Sequence, residues 1–297
     1  MKRPFTTFIG IDLGGARGKT TAVTTLSAVE DGKVVQVESV RTRSDQSGDQ
    51  EPWHDEAVIE YLKAQNENSV VAVDAPLVAP ACIRCTLAVC PGSTQCDVPA
   101  VRWLRAVEQE LEQARQNDRS RIATIGGHSG ESGQSESSQA RRLPPYLYRC
   151  TEIELHYQRE VLHREHTGQG NRLVAARAGH LRRRLAGLNF ELNKNLLEVS
   201  PRATIHSLFG GDRARHYKRE ADPWETRAEI LQGLQPELRF APSSRLSREE
   251  VLRNDHCFDS LIAAYTAFLW ARDGWEMPQD GPFQEDGWIW APPPKDT

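Results

Sequence analysis

Two short apolar runs in this chain each stop at an aspartate. Phe8-Ile9-Gly10-Ile11 ends at Asp12, and Val70-Val71-Ala72-Val73 ends at Asp74. Apolar runs of this length, closed by turn residues, read as strands buried on both faces. A carboxylate at the end of such a strand is costly unless it is paired or binds a cation. A third acid, Asp259, lies in a helical stretch that continues through Leu261-Ile262-Ala263-Ala264. Asp255 is one turn earlier on the same helical face, and His256 also lies near Asp259. A fold that joins two strand ends to this helix would build a divalent-metal site. The plainer roles are a turn or capping residue for Asp12, a strand terminator before Pro76 for Asp74, and a helix N-cap for Asp255.

The rest of the chain supplies the elements for such a fold. Thr20–Ser27 and Lys33–Arg43 are rich in Val and Thr and read as strands, with Asp31-Gly32 as the hairpin turn between them. Trp53–Ala64 carries a helical apolar stripe. Asp97 caps a helix with Pro99 in its first turn, and Thr151 with Glu154 forms a capping box for a helix to about Arg164. Further helices are expected over Asn171–Leu188, from Asp222 to Leu231, and from Ser247 to about Gly274. Asn195–Val199 reads as a short strand and Trp288-Ile289-Trp290 as a final edge strand. This order predicts an α/β fold: a mixed five-stranded sheet, made of a three-stranded antiparallel meander plus parallel strands, with helices on both faces. The order resembles the RNase H-like arrangement. In that arrangement the first strand, the fourth strand and the last helix meet at one end, and here those elements carry Asp12, Asp74 and Asp259.

A chain of 297 residues with 38% hydrophobic residues can bury a full core. We expect a single domain over 1–297, with a Cys-rich loop at 80–97 and a flexible Gly/Ser-rich insertion at 117–140. No apolar run is long enough to cross a membrane, and no signal-like segment opens the chain, so a cytoplasmic protein is expected. A net charge of -4 announces no global affinity for polyanions. Residues 172–219, however, hold eleven Lys/Arg against three acids, enough either to face a polyanion or to form solvated helix faces. Gly18-Lys19-Thr20 is not a P-loop, because the required upstream glycine position is Leu13.

Cys82, Cys85, Cys90 and Cys96 crowd into fifteen residues, with Pro91-Gly92 as a turn. Four thiolates in one loop suit tetrahedral zinc or an iron–sulfur cluster. Free thiols or disulfides are the alternatives. Glu198, flanked by Leu197 and Val199, is a fourth acidic candidate unless it faces solvent on an edge strand.

Several stretches together resemble domain-of-unknown-function family 429, a set of predicted RNase H-like nucleases. They are Gly10-Ile11-Asp12, Val73-Asp74-Ala75-Pro76, Glu198-Val199-Ser200-Pro201-Arg202-Ala203, Tyr217-Lys218, and Asp255 through Ala267. The resemblance covers most of the chain and is weakest over residues 117–170. It implies an RNase H-like fold with metal ligands at Asp12, Asp74 and Asp259. Glu198 and Lys218 match further motif positions. The cysteine cluster is not general in the family, and Ser260 stands where alanine is more usual.

The expectation that follows is a nuclease using two Mg²⁺ or Mn²⁺ ions about 3.5–4 Å apart, bridged by Asp12. Asp74 and Asp259 complete the ligands, Asp255 or Glu198 assists, and Lys218 stabilises charge on the phosphate. DNA or RNA is the expected substrate. Two other readings stay open: a kinase of the actin/sugar-kinase type, suggested by Asp12-Leu13-Gly14-Gly15, and a non-catalytic nucleic-acid or protein adaptor.

Overall fold

The computed structural model describes residues 1–15, 18, 20–44, 51–65, 67–125, 142–159, 171–218, 222–241 and 245–293. In chain order the elements begin with β1 (Thr7–Asp12), β2 (Ala22–Val29), β3 (Val34–Arg41), β4 (Arg43–Ser44), β5 (Glu51–Pro52), α1 (Asp55–Lys63) and β6 (Ser69–Asp74). Next come α2 (Pro99–Ile125), α3 (Cys150–Arg159), α4 (Asn171–Ala186), β7 (Leu196–Val199), α5 (Pro201–Phe209), α6 (Gly211–His216) and α7 (Pro223–Leu234). The chain closes with β8 (Leu238–Phe240), α8 (Arg245–Arg253), α9 (Asp255–Asp273), α10 (Phe283–Asp286) and β9 (Ile289–Trp290).

The main sheet has seven strands in the order β8-β3-β2-β1-β6-β7-β9, not the five expected. The meander β1-β2-β3 is antiparallel, and β6 and β7 run parallel to β1. The two additional strands are short parallel edges, β8 on β3 and β9 on β7. The α/β class and the mixed sheet stand. β4 and β5 form a separate two-stranded ribbon.

Strand alternation divides the core into two layers. Phe8, Val70, Ala72 and Leu197 point to one face, where α9 packs, while Ile9, Ile11, Val71, Val73 and Leu196 point to the other, under α1 and α4. α9 is apolar all round and buried from Cys257 to Ala271, the pattern of a helix enclosed on every side. It crosses the sheet where β1 has no side chain. A Cβ added at Gly10 would overlap the Ser260 carbonyl oxygen and the Ala264 amide nitrogen. Beside this crossing, the Thr24 and Ser260 hydroxyls share a hydrogen bond of 2.7 Å. Ser260 also donates to the Cys257 carbonyl, so serine at this position has a local task.

Three boundaries differ from expectation. The last helical region is two helices, split at Asn254, whose side chain accepts the His256 N–H as the N-cap of α9. The cap of α9 is therefore Asn254 and not Asp255. Thr151 does not cap α3: it lies inside the helix, and its hydroxyl accepts from the Ile289 N–H of β9. The helix after Asp97 reaches Ile125, into the stretch expected to be a Gly/Ser-rich insertion. The remainder of that insertion lies outside the described residues, as do 160–164 at the expected end of α3 and Lys19.

Gly10→Ala is expected to lower stability by about 3 kcal/mol, the upper end of ordinary overpacking, because the obstruction is helix backbone and cannot swing away. Chemical denaturation of the two proteins measures it. A loss below about 1 kcal/mol would mean that α9 does not pack this closely on β1.

Candidate metal centre

Asp12 and Asp74 are register partners at the carboxyl ends of adjacent parallel strands. Both lie in phase with the face that α9 covers, because Phe8-Gly10-Asp12 and Val70-Ala72-Asp74 follow the same alternation. Asp259 meets them from α9, where it is fully buried one residue before the Gly10 crossing. One carboxylate oxygen from each of the three lies within 4.8 Å of the others. The carboxyl end of a parallel sheet is where ligands enter α/β folds. Asp12 and Asp74 are half-buried rather than sealed there.

Two cationic groups flank the trio. Lys218, just past α6, pairs with Asp259, and His256 Nδ1 lies 2.6 Å from Asp12 Oδ2. The Lys218 ammonium and the buried Tyr217 hydroxyl both face Asp259, yet neither of its oxygens receives a well-aligned hydrogen bond among the described residues. Burial, and then the Asp259 and Asp12 charges, hold the Asp74 carboxyl well above the ordinary aspartate range. Burial likewise pushes Asp259 up to about 6, against the pull of Lys218 and with Asp12 adding. Burial opposes the charge on Lys218, but Asp259 and Asp74 outweigh it and keep the ammonium charged. Three crowded carboxylates with spare oxygen lone pairs could hold a hard cation.

Buried arginines fix the loops that follow the two strand acids. Arg177 of α4 donates to the Gly14, Gly15 and Trp53 carbonyls and to the Thr21 hydroxyl, and pairs with Asp55. It thereby pins the glycine turn after Asp12. On the other side, Arg149 holds Glu198 through two nitrogens, at 2.6 and 2.9 Å, and also pairs with Glu152. Glu198 in turn accepts the Leu77 N–H at 2.8 Å, three residues beyond Asp74.

Of the acids singled out in the sequence, Asp12, Asp74 and Asp259 converge and Lys218 joins them. Glu198 is buried in an interior strand, neither solvated on an edge nor free to bind a metal, because Arg149 occupies it. Asp255 lies at the first position of α9 and outside the trio. The basic stretch at 172–219 divides among several tasks. Arg177 is an internal pin, Arg184 pairs with Glu56 on the surface, and Lys218 meets the acids. Cys82, Cys85, Cys90 and Cys96 are all free thiols, and no three of them reach the mutual spacing of the aspartates. Arg149, Glu152 and Arg177 were missed. Arg149 and Glu152 are three residues apart, but Glu198 and the partners of Arg177 are distant in sequence, and only Arg177 stood in a stretch already marked as basic.

Two outcomes test this centre. The raised Asp74 and Asp259 values mean that the metal-free fold favours the protonated carboxyls. That stability is full below the unfolded value near 3.8 and is lost as pH rises through the folded values. His256, raised above 6.5 chiefly by its hydrogen bond to Asp12, also loses its contribution as pH rises past its folded value. In chelator, the melting temperature is therefore expected to fall as pH rises from about 3.8 through about 6 and on past 6.5, and the fall to shrink in Asp74→Asn. An equal slope in the variant would remove Asp74 as its source. Arg149→Met strands two buried glutamates and is expected to cost about 3–5 kcal/mol, read by urea denaturation.

Comparison of the chain with curated proteins and with solved structures finds no match. A family model described as Protein of unknown function (DUF429) matches residues 10–282. The chain belongs to that family.

Proposed function

We propose that this protein is a divalent-metal-dependent phosphodiesterase acting on nucleic acid, built on an RNase H-like core. One observation carries the reading: Asp12, Asp74 and Asp259 come together from two parallel strand ends and a buried helix. The core assignment draws on the five inner strands, β3-β2-β1-β6-β7, an antiparallel meander extended by parallel strands.

Asp12, Asp74 and Asp259 would hold Mg²⁺ or Mn²⁺, and the under-bonded oxygens of buried Asp259 fit that role. Such an ion supplies Lewis acidity toward a phosphoryl oxygen and lowers the pKa of bound water. The chain's own residues do the rest. His256 orients Asp12 through its hydrogen bond. Lys218 is about one-third exposed, at 37%, and offers a fixed positive charge to a phosphate oxygen entering beside the trio. With Glu198 held by Arg149 and Asp255 outside the trio, three carboxylates remain. We therefore assign one divalent ion, with Lys218 supplying the second positive charge, in place of the two ions expected from sequence.

Nucleic acid as the substrate draws on the charge along one border. Arg182 donates to the Leu77 carbonyl just beyond Asp74, near Arg183, Arg84, which pairs with Asp286, and Glu198, which pairs with Arg149. A cationic edge beside a carboxylate site suits a polyanionic backbone. The kinase reading lacks a second glycine-rich loop, since Ala75-Pro76 follows Asp74.

The test is cleavage of labelled single-stranded, duplex, hybrid and branched DNA and RNA with Mg²⁺ or Mn²⁺. Activity is expected to vanish in Asp12→Asn and Asp259→Asn and to survive in Asp255→Asn. Lys218→Met is expected to lower kcat by about 100-fold while the divalent ion still binds. Calorimetry is expected to count one ion per chain. A folded, metal-loaded chain that cuts no member of the panel would defeat the proposal, and Mg²⁺-dependent ATP binding would redirect it to a kinase.

A further inference from the structure

Between β6 and α2 the chain runs from 75 to 98 without a helix or strand. Loops that long inside a compact domain are uncommon and need something to hold them. Burial holds its ends, at Ala75, Leu77, Val78, Ala81 and Cys96, but not its middle, where Ile83, Leu87 and Val89 face solvent. Instead the loop is folded into two tight turns that are braced from outside. In the first, Ile83 and Arg84 N–H groups return to the Pro80 carbonyl, and the Arg84 side chain reaches the Ala79 carbonyl and buried Asp286. In the second, the Gln95 N–H returns to the Gly92 carbonyl, and Arg105 of α2 donates to the Ser93 and Thr94 carbonyls.

Cys82 lies in the first turn and Cys85 just past it, while Cys90 and Cys96 flank the second. None is in a disulfide. The Gly92 N–H points at Cys90 Sγ at 3.4 Å. The turns face each other: Cys82 of the first and Cys90, Ser93 and Thr94 of the second line one cavity. As free cysteines the four make no covalent link between the turns. Four thiolates around one cation would cross-link both turns.

We propose that Cys82, Cys85, Cys90 and Cys96 form a tetrathiolate site for one zinc ion, which staples the loop following Asp74. The sulfurs do not lie at closed-site spacing, so binding draws the two turns together. Zinc is favoured over an iron–sulfur cluster because a staple needs no electron transfer, and zinc is redox-inert. The site is separate from the aspartate trio and does not depend on the nuclease reading.

The experiment is metal analysis of the full chain purified without chelator, alongside Cys85→Ser and Cys90→Ser. Both of these cysteines are exposed, so the variants should fold. About one zinc per chain is expected, bound by four sulfurs at about 2.3 Å in X-ray absorption. Cobalt exchanged into the site should give thiolate-to-cobalt charge-transfer bands. Either variant should lose the ion and melt at lower temperature, while Asp12→Asn keeps it. A folded chain without zinc that gains none on titration would overturn the proposal. So would an iron–sulfur chromophore, a disulfide among these four cysteines, or zinc retained in both variants.

Discussion

The close approach of α9 to β1 is the constraint from which the rest of this structure follows. A helix can lie against a strand at backbone distance only where the strand offers no side chain, and Gly10 provides that opening. The small residues Ser260, Ala263 and Ala264 answer it from the helix side. Because Asp12 is two residues beyond Gly10 and Asp259 immediately precedes Ser260, the crossing that packs the core also sets the distance between two of the three acids. Site geometry here is inherited from core packing rather than from loop conformation.

That inheritance has an electrostatic consequence. Three carboxylates forced together in a partly dehydrated place oppose one another, and the shifts at Asp74 and Asp259 express that opposition. The protein offsets part of it with Lys218 and His256 and leaves the remainder for a ligand. Elsewhere the same chain treats buried charge differently. Glu198 and Glu152 share Arg149, and Arg177 is saturated by carbonyls and Asp55. The buried acids that hold loops, Glu152 and Glu198, are thus paired by arginine, whereas the trio is left under-neutralised.

Much of this could be read from the residues. The strand runs ending at Asp12 and Asp74, the Asp31-Gly32 turn and the apolar helix around Asp259 have strong local patterns, and period-two alternation already puts both strand acids on one face. What escaped was short or distant. β8 is three residues long and carries no readable alternation. α5 did have a signal, Ser200-Pro201, where the serine caps and the proline takes the first turn, but it follows so closely on β7 that the two merged. Adjacent cap-type residues at Asn254-Asp255 made the start of α9 ambiguous. The pairing of Arg149 with Glu198 spans 49 positions and has no local trace at all.

The placement of α9 also governs when the protein can become functional as it is made. The meander and β6 are synthesised early, but the helix that fills the middle of their exposed face comes from the last sixth of the chain. Until it emerges from the ribosome, one side of the sheet lacks its cover, and contacts this distant in sequence form slowly. The third carboxylate arrives with the same helix. A nascent or prematurely terminated chain therefore has no complete acid centre, so any activity housed there switches on only with completion of the core.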